Sequence, residues 1–342
     1  RENRVLRDAA VLCTGGHITD VGEAASFSSR YDKVIDASGK AVLPGFVDSH
    51  THFIFGGYRA EEFAWRLQGM SYMDIMARGG GIASTVDATR QADLATLVRT
   101  GRQRLDAMLA FGVTTVEGKS GYGLDRDTEI RQLEAMAILE EEHPMDVVAT
   151  FLGAHAVPRE FRDRADAYLD FIMAEVLPLV AERRLAEFCD IFCEDQVFSI
   201  DQSRRLLHHA KTLGLKLTLH ADEIVPLGGT ELAAELGAVS ADHLLHASDD
   251  GIRGMAKAGV VAALLEDDVA DWAQALIDYR LLEQAVAARR RQICMNGGQT
   301  EMKRSPRLWP LLWPKSALRL RSMRSRRPPF FPKPTTRIHP SI

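Results

Sequence analysis

The sequence predicts an α/β chain folded as a (β/α)8 TIM-type barrel, and three observations carry that prediction. Short apolar runs alternate with amphipathic segments of helical length, the pattern of parallel βαβ units. Histidines or acids recur where the apolar runs end, and a barrel gathers its functional groups at the C-terminal ends of its strands. No Gly-rich phosphate turn follows an early strand, so an open doubly wound sheet lacks its usual signature.

The first strand is expected over 42–52. Its apolar run turns through Pro44-Gly45, resumes as Phe46-Val47 and ends on His50 and His52. Side chains alternate along a strand, so these two imidazoles share one side while Thr51 points away. That pair makes half of a divalent-metal site. Further strands are expected over 113–117, 146–152, 188–192, 215–220, 239–243 and 259–265. Three of them run into His155, His220 and His243. Helical segments lie between, over 88–110, 126–141, 163–184, 199–213, 228–237 and 249–258.

Other residues of the right chemistry fall outside this pattern. Cys189 and Cys193 sit four apart on one strand face and read as packed thiols, because no zinc-finger spacing accompanies them. His208 and His209 lie in an Arg-rich helical stretch and read as solvated. His143 precedes Pro144 and marks a helix end.

Composition fits a soluble enzyme. A chain of 342 residues, 46% hydrophobic, can bury one large core, as barrels of this size do. Four cysteines without disulfide spacing suit a reducing cytosol. No apolar run reaches membrane-spanning length and no signal peptide precedes the first residues, so a cytoplasmic location with no membrane partner is expected. The chain begins at Arg1 without Met.

Five motifs in order carry a resemblance. Pro44-Gly45-Phe46-Val47-Asp48-Ser49-His50-Thr51-His52 resembles the first strand of the amidohydrolase superfamily. The segments Phe53 to Phe63, Gly79-Gly80-Gly81-Ile82, Lys119-Ser120-Gly121-Tyr122-Gly123-Leu124, Leu152 to Pro158 and His220-Ala221-Asp222-Glu223 narrow it. Together they resemble the imidazolonepropionases over about residues 40 to 264. The resemblance implies hydrolysis of the cyclic amide of 4-imidazolone-5-propanoate to N-formimidoyl-L-glutamate in histidine degradation. It implies one zinc or iron ion held by His50, His52 and His220. It makes Glu223 and His243 the catalytic, proton-handling pair. It makes Arg59, Tyr122 and His155, with Glu223, the substrate contacts, Arg59 offering a bidentate fork to the propionate. Lys119 reads as loop structure or a pocket charge and not as a metal bridge. The implied partners are a small-molecule substrate and a second copy in a homodimer.

The resemblance makes residues 1–40 an N-terminal β segment of a small composite β-sandwich and 41–300 the hydrolase barrel, and composition makes 301–342 a basic, Pro-rich, irregular tail. From Met302 to Ile342 there are eleven Lys or Arg and no acid, whereas the preceding 301 residues hold 31 basic and 47 acidic groups. The acidic body and the lack of any nucleic-acid motif argue against a nucleic-acid arm. The family ends its eighth strand in Asp-x-Asn-Pro-Gly with a metal-ligating Asp. No such pattern exists here; the nearest string is Met295-Asn296-Gly297-Gly298. No eighth strand is recognisable, only remnants of the β-sandwich are expected, and a frame change after about Leu265 is the expected cause. Asp267 or Asp268 is the nearest replacement ligand. Two other readings compete: a heterocycle deaminase of the same superfamily, and a non-catalytic remnant that has lost the Asp ligand.

Overall fold

The computed structural model of the chain describes residues 5–27, 31–70, 74, 78, 80–265 and 294–295. These divide into two compact units, one within residues 5–43 and one from residue 44 onward. The first unit holds an antiparallel hairpin of β1 (Ala9–Thr14) and β2 (His17–Glu23), turning at Gly15-Gly16 with a register shift between Leu12 and Cys13.

The second unit is a parallel sheet in strict sequence order: β3 (Phe46–Asp48), β4 (Val113–Lys119), β5 (Asp146–Ala154), β6 (Phe188–Cys193), β7 (Lys216–Ala221), β8 (Ser240–His243), β9 (Val261–Leu264) and β10 (Cys294–Met295). Each strand pairs only with its sequence neighbours, as successive right-handed βαβ units require. No ladder joins β3 to β10 among the described residues. The central strands are buried on both faces, as parallel strands covered by helices must be.

Seven strands, β3 to β9, carry the sheet, and only a two-residue strand follows them, in keeping with the expectation of no recognisable eighth strand. Cys294 and Met295 pair in parallel with Ala263 and Leu264 and take the eighth position. Two residues are too few for any periodicity to reveal them. The expected segments at Asp267 and Asp268, at 269–291, at Asn296-Gly297-Gly298 and through the tail 301–342 lie outside the described residues.

Between the strands run α1 (Ala60–Leu67), α2 (Ile82–Gln91), α3 (Leu94–Ala110), α4 (Arg126–Glu142), α5 (Ala165–Phe171), α6 (Leu177–Glu182), α7 (Ile200–Thr212), α8 (Gly229–Leu236) and α9 (Asp249–Ala258). The single helix expected over 88–110 is two. Ala92 is extended at ψ 131°, and Asp93 begins a new helix by accepting from the Thr96 N–H at 2.8 Å. The helix expected over 163–184 is also interrupted. A π-helical turn at Ile172–Val176 separates α5 from α6, where Pro178 supplies no N–H. α7 carries a full capping box of Ser199 and Gln202.

Cys189 and Cys193 are both fully buried and unpaired, as packed thiols. His143 caps the end of α4, where its Nδ1 accepts from the Met145 N–H at 3.2 Å.

Candidate functional site

The strand β3 ends at Asp48, so His50 and His52 stand beyond it and not on it. The alternation nevertheless persists. Thr51 turns away to donate from Oγ1 to the Glu117 carbonyl at 2.6 Å, and its own carbonyl accepts from the Lys119 N–H at 2.9 Å. Both imidazoles therefore enter the same pocket, with ring centroids 5.3 Å apart. His220 at the end of β7 joins them, 4.7 Å from His50 and 5.6 Å from His52. His243, the last residue of β8, lies 5.0 Å from both His50 and His220. His155, just past β5, stacks on His52 at 4.9 Å. Five histidines from the ends of four strands, β3, β5, β7 and β8, thus converge.

Hydrogen bonds settle which ring nitrogens carry protons. A carboxylate or carbonyl only accepts, so an imidazole nitrogen facing one must donate. His50 Nδ1 donates to Asp242 Oδ2 at 2.7 Å, and His220 Nδ1 lies 3.1 Å from both oxygens of Asp190. His155 Nδ1 donates to the Gly121 carbonyl at 3.1 Å. The Nε2 atoms of His50 and His220 are left as lone pairs. His220 Nε2 and His52 Nδ1 are buried with no hydrogen-bond partner among the described residues. Ligand atoms of His50, His220 and His243 lie within 4.8 Å of one another, as do those of His52, His155 and His220. Buried, neutral imidazole nitrogens at this spacing, those of His52 Nδ1 and His220 Nε2 without a hydrogen-bond partner among the described residues, fit a divalent or trivalent metal ion.

Burial holds these rings neutral. It lowers His50, against the opposing pull of Asp242, and lowers His52 well below the imidazole range. It brings His155 down to about 4 and His220 down to about 3, against the opposing pull of the Gly121 carbonyl on His155 and of the Asp190 carboxylate on His220. A pKa depressed in the folded state gives stability that is present above the unfolded value near 6.5. It is lost as pH falls toward the folded values. The metal-free protein is therefore expected to lose melting temperature steadily from pH 6.5 to about 4. Melting scans at pH 7 and pH 5 check this, and equal values would refute it.

Two loops border the histidine cluster. After β4 the chain makes a Gly-Tyr-Gly loop, whose Tyr122 ring sits 5.6 Å from His52 and 5.4 Å from His155. Buried Glu129 shapes this loop by accepting from the N–H groups of Gly121, Gly123 and Leu124 at 3.1, 2.9 and 2.9 Å. Gly121 has φ +103°, and a Cβ there would meet the Leu152 carbonyl at 2.7 Å, so only glycine serves. Burial raises the Tyr122 hydroxyl, and the nearby Arg59 charge opposes that shift. Arg59 itself donates from Nε to Glu62 at 3.0 Å, and Glu62 also accepts from the Gly81 N–H.

The loop after β7 presents Glu223. Its neighbour Asp222 is buried in a left-handed conformation (φ 50°) and accepts from the N–H groups of Leu227, Gly228, Gly229 and Thr230. Glu223 Oε2 stands 3.5 Å from His243 Nε2. His243 and Leu244 are both left-handed, at φ 71° and 66°, backbone strain of the kind that collects at working sites.

Of the two readings of Lys119, loop structure is the one the structure overturns. It is not in a loop but ends β4, fully buried, with Nζ 2.9 Å from Glu117, 2.7 Å from Asp190 and 3.1 Å from Asp242. Asp190, Asp242, Glu117 and Glu129 escape the sequence pattern. Asp190 had a usable signal, being a lone acid inside the apolar run Phe188-Cys189-Asp190-Ile191-Phe192, where burial demands a partner. Burial alone would raise Asp190 and Asp242, yet the His220 and Lys119 contacts hold Asp190, and Lys119 with His50 holds Asp242, below the usual carboxylate range. Glu117 instead is raised by burial to about 7.

Comparison with known proteins shows the family. Residues 33–89 match the amidohydrolase family. The chain is 58% identical over 265 residues to an imidazolonepropionase of Clostridium tetani, covering 76% of this chain and 63% of that one. It is 59% identical over 270 residues to that of Bacteroides fragilis, covering 77% and 65%, and 50% identical over 290 residues to that of Alkaliphilus metalliredigens, covering 82% and 69%. The chain thus spans about two thirds of the length of these relatives. Among solved structures, a 5-methylcytosine deaminase from Klebsiella pneumoniae superposes with a TM-score of 0.56 at 15% identity, covering 83% of this chain and 70% of that one, a likeness of fold alone. By sequence identity and coverage, this chain belongs to the imidazolonepropionase family.

Proposed function

We propose that this chain hydrolyses the ring of 4-imidazolone-5-propanoate to N-formimidoyl-L-glutamate, a metal-dependent step of histidine degradation. The observation that carries this reading is the adjacency of Tyr122 and its neighbouring Arg59 charge to the histidine cluster through His52 and His155. A ring substrate with a carboxylate tail needs both halves of such a pocket, whereas a nucleobase has no use for the cation.

His50, His52 and His220 are the residues that would hold the ion, zinc or iron. When bound, it supplies hydroxide near neutral pH and polarises the carbonyl. The rest falls to side chains. Hydrolysis joins a water oxygen to the ring carbonyl carbon and breaks the carbon–nitrogen bond. One proton must leave the water and one must reach the departing nitrogen. Glu223, half-buried at the strand end, takes the first and delivers it. His243 beside it orients the substrate or shares the transfer. His155, with Nδ1 committed to Gly121, turns Nε2 to the developing oxyanion. Tyr122 and Arg59 take the propionate.

The lack of the family's Asp-x-Asn-Pro-Gly pattern supports a second reading, a remnant without turnover. A panel of imidazolonepropionate, cytosine and guanine, assayed on protein of measured metal content, separates the three readings. Ring opening confined to the first substrate is the expected result. Deamination of a base would replace this proposal. Metal-free, inactive protein would leave the remnant. Arg59→Met is expected to raise KM for imidazolonepropionate about 10–100-fold, the loss of one or two charge-assisted hydrogen bonds, with a smaller change in kcat. An unchanged KM would remove Arg59 from the tail pocket.

A further inference from the structure

Lys119 has no part in the reaction just described, yet it is the most completely buried cation among the described residues. Burying an ammonium is costly unless partners surround it. Here three carboxylates do, and two of them have a second task. Asp242 Oδ2 contacts both Lys119 Nζ, at 3.1 Å, and His50 Nδ1, at 2.7 Å. Asp190 Oδ2 contacts both Lys119 Nζ, at 2.7 Å, and His220 Nδ1, at 3.1 Å. Asp190 Oδ1 also accepts from the His220 backbone N–H at 3.1 Å, which ties the carboxylate to β7 itself.

We propose that Lys119 is a positioning residue that joins Asp190 and Asp242 into one clamp, fixing His50 and His220 together with their Nε2 atoms presented side by side. The proposal rests on the reading that these two histidines hold the ion. An imidazole whose Nδ1 donates to a carboxylate is locked in tautomer and ring angle, and its Nε2 becomes a better donor to metal. One carboxylate can do that for one ring. Two carboxylates sharing a single ammonium do it for both rings at once, so neither ring turns without disturbing the other. The strand register serves the clamp: Lys119 ends β4, Asp190 lies within β6, and His220 is the register partner of Asp242 across β7 and β8. Glu117, two residues before Lys119 on the same face of β4, accepts its third contact and is held in turn by the Thr150 hydroxyl at 2.5 Å. The remaining ammonium proton therefore has a fixed acceptor of its own.

The test is zinc affinity of the full chain, measured by chelator competition, with cobalt(II) absorption as a readout of ligand geometry. Lys119→Met, Asp190→Asn and Asp242→Asn are each expected to weaken zinc binding about 10–100-fold and to shift the cobalt bands. Lys119→Met combined with Asp242→Asn is expected to lose no more than the worse single variant, because both cut the same link. That double variant removes one cation and one anion together, so it carries the test if Lys119→Met alone does not fold. Folded variants that bind zinc within twofold of the unaltered chain, with the same cobalt spectrum, would overturn the proposal. So would an unaltered chain that binds no zinc. A chain that binds zinc normally but leaves imidazolonepropionate intact would instead overturn the functional reading and leave the clamp standing.

Discussion

His220→Ala is expected to yield a folded protein without bound metal and with ring opening reduced by about 10³-fold or more. The magnitude follows from the several kcal/mol that a Lewis-acidic ion contributes to charge stabilisation, at about 1.4 kcal/mol per tenfold in rate. The fold should survive, because Asp190 keeps its Lys119 contact at 2.7 Å after the imidazole is gone. Metal analysis of the purified variant beside its circular dichroism spectrum checks both halves. Retained metal at one ion per chain would mean that His220 is an ordinary buried histidine, satisfied by Asp190 alone.

Glu223→Gln should leave the metal in place and lower kcat about 10²–10⁴-fold, the usual worth of a positioned proton carrier. The amide keeps the size of the side chain and its place on the Asp222-pinned loop, so positioning is preserved while proton transfer is not. KM should change little. The combination matters, because loss of metal together with kcat would recast Glu223 as part of the binding site. An unchanged kcat would pass the proton-handling role to His243, 3.5 Å away.

The features legible in the sequence were those that parallel sheets write locally. Strands buried on both faces appear as unbroken apolar runs, and chemistry at their C-terminal ends appears as a polar residue where a run stops. His155, His220 and His243 each sat in that position, and the structure brings them together with His50 and His52. His50 and His52 face one way, as strand alternation predicts, but they stand beyond the strand and not on it. The strand stops at Asp48, and the alternation is maintained beyond it by Thr51 bonding to β4.

What stayed hidden depends on contacts across the fold. Lys119 and Asp190 are 71 positions apart in the chain, and nothing local distinguishes a buried ammonium from a loop charge. Asp242 was masked by its neighbour His243, which carried the recognisable pattern. The helix break at Ala92 was local, but its signal, an Asp three residues before a threonine, was too weak beside the apolar periodicity that spanned it. The two-residue β10 gains its identity only by pairing with Ala263 and Leu264.

The central claim is that this chain holds one metal ion on its strand-end histidines and uses it to open an imidazolone ring. Metal content per chain, with ring-opening activity on imidazolonepropionate assayed in the same purified sample, tests it most directly. The account predicts about one zinc or iron per chain, with activity that chelation removes and metal restores. Metal-free protein that neither binds added zinc nor opens the ring would contradict it.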